Sequence, residues 1–192
     1  MKKFKEWLSQ KKSEVDYMMF PPVINKKELP QDHYQLRNGE VVDVRFANSD
    51  DMEGIIQIQK ETYDGNPPWG RLAVSSELSK HTSFFLICHH LGLPISFIGL
   101  SLRKDTIHVT NIATIPAYQQ HGIGTFLIQL AAELGRKFNR KVMTLEVRVS
   151  NDGAKRLYRK IGFEDGQIKR NYYHNNGEDA LDMFFNLEKL DG

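Results

Sequence analysis

The stretch Gln119-Gln120-His121-Gly122-Ile123-Gly124-Thr125 has the makings of an anion-binding turn. Its two glycines let backbone N–H groups approach a phosphate, and a helix starting there would add its partial positive end. No Gly-Lys-Ser/Thr follows, which excludes a Walker loop, and the stretch is one glycine short of a dinucleotide fingerprint. On spacing alone, a plain glycine-containing turn remains the alternative. Glu146 is a lone carboxylate on the polar side of an alternating strand, where an exposed residue is the ordinary reading. Asn151 precedes a helical pattern and suits its N-cap. Tyr158 shares helical spacing with Leu157 and Ile161, so its pattern is that of a core residue. His89-His90 lacks a third spaced ligand, so no metal is expected, and Cys88 reads as core.

These residues need elements to hold them. Residues 2–19 carry Phe4, Leu8, Val15 and Met18 on one side and predict a helix that ends at Pro21-Pro22. The helix with a linker makes residues 1–33 an arm, and residues 34–192 the domain. Asn38-Gly39 predicts a type I′ hairpin between residues 34–36 and 41–44. A helix opens at Ser49-Asp50-Asp51, with Asp50 and Glu53 spaced as a capping pair, and a short helix covers 73–79. Strands are expected over 83–88, 95–102 and 106–114. A strongly amphipathic helix then runs from Ile123 to Phe138. A strand over 142–149, a helix over 152–161 ending at Gly162, and two strands flanking Asn175-Asn176-Gly177 complete the chain. This order predicts an α/β domain, a mixed central sheet flanked by helices.

Composition narrows the classes. The 192 residues are 40% hydrophobic and 26% charged, so a packed core is expected and disorder is not. There is no apolar run of about 18 residues, and Glu6, Gln10, Lys11, Lys12 and Glu14 interrupt any signal-like segment. Neither a membrane span nor a signal peptide is expected. A single cysteine fits a reducing cytoplasm. Residues 1–40 hold eight basic and six acidic side chains, and the remaining 152 hold eighteen of each. A neutral body argues against nucleic-acid binding. One basic excess, from Arg136 to Lys160, could serve a polyanionic small ligand.

The stretch Asn111-Ile112-Ala113-Thr114-Ile115-Pro116-Ala117-Tyr118 followed by the glycine loop resembles the acetyl-coenzyme A site of the GCN5-related N-acetyltransferases. That superfamily's Gln/Arg-x-x-Gly-x-Gly/Ala loop is matched by Gln119, Gly122 and Gly124. Its second signature is matched by Ala154, Leu157, Tyr158, Gly162 and Phe163. Within the superfamily, Leu145-Glu146-Val147-Arg148-Val149-Ser150-Asn151, Arg170-Asn171-Tyr172-Tyr173 and Glu178-Asp179-Ala180 are similar to the ribosomal-protein-alanine acetyltransferases. The likeness covers roughly residues 41–188. Gln120 departs from it, since many members carry Arg there.

The resemblance implies a sheet splayed between strands 106–114 and 142–149, with an N-terminal helical extension outside the shared fold. Acetyl-coenzyme A would be the co-substrate, with no metal. Its pantetheine would pair with backbone at Ile112, Ala113 and Thr114 and meet Asn151. Its pyrophosphate would lie on Gln119, Gln120, His121, Gly122, Ile123, Gly124 and Thr125. Glu146 would be the base and Tyr158 the proton donor to the departing thiolate. Tyr172 and Tyr173 would wall the acceptor groove, although strand neighbours face opposite sides, so only one is expected to touch peptide. The implied reaction is acetylation of a protein N-terminal α-amine, with the N-terminal alanine of a small-subunit ribosomal protein as acceptor, by a cytoplasmic monomer or weak dimer. Two rivals stand beside it: a polyamine or aminoglycoside N-acetyltransferase, and a non-catalytic acyl-coenzyme A-binding sensor. The whole site is expected beyond Val41.

Overall fold

The computed structural model describes residues 29–63, 65 and 67–188. The helix expected over residues 2–19 lies outside the described residues, as do residues 189–192.

β1 (His33–Gln35) and β2 (Val41–Phe46) form the first hairpin. Its turn is not the expected type I′. Only Gly39 of the Asn38-Gly39 pair has positive φ, at 89°. The Leu36 N–H donates to Glu40 O at 2.8 Å, and the Gly39 N–H donates to Leu36 O at 2.9 Å. The loop is therefore a turn closed by one left-handed glycine, the longer of the common hairpin solutions. The capping pair also differs from expectation. Asn48 and Asp51 form the reciprocal cap, with Asn48 Oδ1 accepting from the Asp50 N–H and Asp51 accepting from the Asn48 N–H. Asp51 is only 8% exposed because Arg45 of β2 grips it at 2.6 and 2.7 Å, and a partner on the sheet decides between neighbouring acids. Glu53 pairs instead with Arg71.

α1 (Met52–Thr62) and α2 (Arg71–Ser79) follow the cap, and β3 (Ser83–His90), β4 (Leu93–Leu102) and β5 (Thr106–Thr114) follow them. α3 (Ile123–Lys137) leads to β6 (Val142–Arg148), α4 (Asp152–Ile161), β7 (Glu164–Tyr173) and β8 (Glu178–Asn186). The strands form one open mixed sheet in the order β1-β2-β3-β4-β5-β6-β8-β7. Helices cover both faces. Phe85, Ile87 and Phe97 pack with α1 and α2, while Phe84, Leu86, Ile98 and Leu100 pack with Leu127, Ala131 and Leu134 of α3. This two-sided burial is why β3 and β4 are apolar without alternation. No helix among the described residues is long and apolar enough to cross a membrane.

One defect in the sheet positions the site. β5 and β6 pair in parallel from Thr106↔Val142 to Val109↔Leu145 and no further. At that point the β4–β5 register steps from Leu100↔Val109 to Gly99↔Asn111, which leaves Thr110 as an extra residue. A bulge bends its strand and sharpens its twist. β5 thus turns away from β6, and the expected splay opens beyond Val109.

Candidate active site

Two grooves meet in the splay. The first, of about 680 Å³, is lined by Ile112, Ala113 and Thr114 of β5, by Gln119, Gln120 and Gly122 to Thr125, and by Asn151 and Tyr158. The edge of β5 there faces away from β4 and has no strand partner among the described residues. The Thr114 carbonyl is already used, accepting from the Gln119 side-chain amide at 3.0 Å and the Thr62 hydroxyl at 3.2 Å.

The loop below it is shaped for an anion. Gln120 and Gly122 both adopt positive φ, 63° and 88°, and Gly122 is the N-cap of α3 without any side-chain cap. The first N–H groups of α3 therefore keep their donors for a ligand. A Cβ at Gly122 would lie 2.3 Å from the Tyr34 hydroxyl, so glycine is required by space as well as by φ. His121 does not turn its side chain into the groove: its Nδ1 lies 2.8 Å from the Gln119 carbonyl. Its backbone is part of the loop and its imidazole is a brace.

The second groove, about 460 Å³, is lined by Trp69, Thr110, Leu145, Glu146, Arg148 and Tyr173. It shares Thr62, Tyr63, Ile112, Asn151, Ala154 and Tyr158 with the first, so the two are continuous. Tyr172 joins Tyr173 along an adjoining stretch of wall. Both tyrosines therefore face this side, contrary to the alternation expected of strand neighbours. Asn171 has φ 50° and the β7–β8 register breaks between Lys169 and Tyr173, which cancels the alternation. The rings meet edge to face at 5.2 Å, and the Arg148 guanidinium covers Tyr173 at 3.8 Å.

Glu146 is far from an ordinary exposed carboxylate, with 10% of its side chain open to solvent. One oxygen lies 3.2 Å from His108 Nε2 and the other pairs with Lys169. Burial alone would raise its pKa, but hydrogen bonds from His108 and Lys169 outweigh burial and bring it down to about 2. His108 Nδ1 lies 2.9 Å from the Thr144 hydroxyl, which fixes the ring. Neither His108 nor Lys169 stands out in the sequence. His108 falls on the polar side of an alternating strand, and only the register His108↔Thr144 brings it beside Glu146.

Tyr158 is buried, and burial pushes its phenol above the usual tyrosine range, with Tyr63 and Tyr173 adding to the effect. Among the described residues no group hydrogen-bonds to its hydroxyl, which opens on the junction of the grooves. Asn151 caps α4, its Oδ1 accepting from the Ala154 N–H at 3.0 Å, and this leaves its amide N–H₂ for the groove. On the same helix Lys155 pairs with Asp152 and Arg159 with Asp165, so these cations are committed elsewhere. Cys88 is buried in the core and its thiol is raised to about 12 by that burial.

A splayed mixed sheet with a glycine-lined helix start beneath it is the architecture of an acyl-coenzyme A-dependent acetyltransferase. The Acetyltransferase (GNAT) family profile matches residues 52–163, and the chain belongs to that family. A Bacillus subtilis (strain 168) protein, provisionally named a ribosomal protein bS18-alanine N-acetyltransferase, is 32% identical over 147 residues. That match covers 76% of this chain and 96% of the relative. The N-alpha-acetyltransferase RimI of Mycobacterium tuberculosis (strain ATCC 25618 / H37Rv) is 30% identical, over 75% of this chain and 92% of that protein. The crystal structure of the Escherichia coli ribosomal-protein-S18-alanine N-acetyltransferase superposes with a TM-score of 0.69 at 26% identity, covering 76% of this chain and 94% of that one. The chain is an N-acetyltransferase, and its family uses acetyl-coenzyme A as co-substrate.

Proposed function

We propose that the chain acetylates the α-amine at a protein N-terminus, with the N-terminal alanine of a small-subunit ribosomal protein as acceptor. The observation that carries this reading is the buried, ionised Glu146 in a tyrosine-walled groove that meets the cofactor groove at Tyr158. The names of the relatives supply the choice of ribosomal protein.

The chemistry follows from proton affinities. Nitrogen attacks a thioester only as the free base. A peptide α-amine has a pKa of about 7.7–8.0 and a lysine about 10.4, so the lysine costs roughly 3.4 kcal/mol more to deprotonate. A carboxylate at about 2 is a weak base and a strong counter-ion. Glu146 therefore suits an amine that gives up its proton readily. It draws in the ammonium form, which releases one proton to solvent to become the free base. The carboxylate then takes, directly or through a water, the proton the nitrogen sheds as the N–C bond forms. The C–S bond breaks in the same addition–elimination sequence, without a covalent enzyme intermediate. Tyr158, still protonated throughout the neutral range, donates its hydroxyl hydrogen to the sulfur as thiolate character develops. Asn151 and the free edge at Ile112 and Ala113 align the pantetheine amides.

The direct test is to incubate the purified chain with acetyl-coenzyme A and an alanine-initiated small-subunit ribosomal protein, then map the product by tandem mass spectrometry. Acetyl on the alanine nitrogen is the expected result. Acetyl confined to internal lysines, or transfer to spermidine with a silent protein, would replace this reading with the small-amine one.

A further inference from the structure

The cofactor groove carries one charged side chain among the described residues that line it, and it does not come from the glycine loop. It is Arg37, in the hairpin turn between β1 and β2. Arg37 is exposed, and no described carboxylate pairs with it. The loop itself offers Gln119 and Gln120, and the Gln119 amide is spent on the Thr114 carbonyl. On α4, Lys155 and Arg159 are tied to Asp152 and Asp165, and neither Arg156 nor Lys160 lines the groove. Among the described residues that line this groove, Arg37 is thus the one cation available to a polyanion.

The hairpin is held there by specific contacts. The Tyr34 ring stacks on Phe126 of α3 with centroids 4.8 Å apart, and its hydroxyl donates to the His121 carbonyl at 3.1 Å. Leu36, next to Arg37, is buried in the main core. Tyr34 and Leu36 therefore pin both the hairpin and the loop, and Arg37 is the residue left facing the groove.

We infer that Arg37 is a cofactor-binding residue, its guanidinium gripping the diphosphate of acetyl-coenzyme A from the side opposite the α3 N–H groups. The inference rests on the reading of this groove as the cofactor site. A guanidinium presents paired donors in a fixed fork that matches phosphate oxygens, and helix N–H groups leave the outer oxygens unneutralised. The segment preceding β2 is then part of the site, which does not lie wholly beyond Val41.

The test is isothermal titration of the full chain with acetyl-coenzyme A and with its 3′-dephospho form. Arg37→Gln is expected to raise Kd about tenfold, equivalent to ~1.4 kcal/mol, for both ligands alike, and Arg37→Lys to recover part of the loss. Wild-type Kd in Arg37→Gln, or a loss seen only with the 3′-phosphorylated ligand, would overturn the assignment. Gly124→Asp separates this from the underlying reading. A Cβ there meets nothing closer than Leu157 at 4.0 Å, and an acid is well tolerated in a first helical turn, so the variant should fold. Lost affinity in Gly124→Asp beside wild-type affinity in Arg37→Gln would sink Arg37 alone. Wild-type affinity in Gly124→Asp would sink the cofactor groove itself.

Discussion

His108 Nε2 lies 3.2 Å from Glu146 Oε2, with 7% and 10% of the two side chains open to solvent. The carboxylate of this pair is depressed from an ordinary 4.5 to about 2, against the effect of its burial. A carboxyl whose folded pKa lies below its unfolded one stabilises the fold above the unfolded value and loses that contribution as pH falls through the folded one. The stabilisation by Glu146 is therefore expected to fade between about pH 4.5 and 2. Thermal unfolding of the wild type and of Glu146→Gln over that window checks this: the gap between their Tm values should narrow as pH falls. A constant gap would contradict it.

The same depression separates Glu146 from the pH profile of the reaction. The acidic limb of kcat/KM is expected to report the acceptor amine near 7.7–8.0 rather than a carboxylate near 4. Glu146→Gln should lower turnover by about 10²–10⁴-fold, with acetyl-coenzyme A affinity nearly unchanged, and recover part of the loss at high pH. Stopped-time assays beside titration calorimetry measure both. Wild-type turnover at neutral pH would leave Glu146 a structural residue.

Tyr158→Phe keeps the ring against Phe163, 5.6 Å away between centroids, and removes only the hydroxyl. Turnover is expected to fall about 10²-fold or more, within the range of general acid catalysis, with little change in Tm. An unchanged rate would assign Tyr158 to the core alone.

Much of this arrangement is legible in the sequence, and the exceptions share a cause. The glycine loop and the amphipathic helix from Ile123 announce themselves by short-range spacing. Glu146 and Tyr158 stand out only through the family resemblance, since by pattern they read as an exposed strand residue and a core residue. His108, Lys169, Tyr34 and Arg37 do not, because each reaches the site through a pairing between distant segments. His108 depends on the parallel register with β6, and Lys169 on the return of β7. Tyr34 depends on stacking against Phe126 of α3 and on a hydrogen bond to the His121 carbonyl, 87 residues away. Tyr172 and Tyr173 were separable by alternation only if β7 were regular, and Asn171 makes it irregular.

Tyr34 also makes a prediction about stability. Tyr34→Phe deletes the hydrogen bond to the His121 carbonyl while retaining the stack on Phe126, and is expected to cost about 0.5–1.5 kcal/mol. Tyr34→Ala removes the stack as well and should cost about 3–5 kcal/mol, less in proportion to the exposure of the ring. Urea denaturation midpoints distinguish the two. Equal losses would mean the hydroxyl contributes everything and the ring nothing.

The central claim is a choice between two kinds of amine, and one competition measures it. Two peptides of the same sequence share a vessel with limiting acetyl-coenzyme A. One begins with a free alanine and has its internal lysine blocked; the other has its α-amine blocked and its lysine free. The difference in deprotonation alone sets a ratio of roughly two orders of magnitude in favour of the alanine peptide. Intact-mass spectra are expected to show the alanine peptide acetylated at least that much faster. Comparable rates, or a faster lysine peptide, would contradict the account.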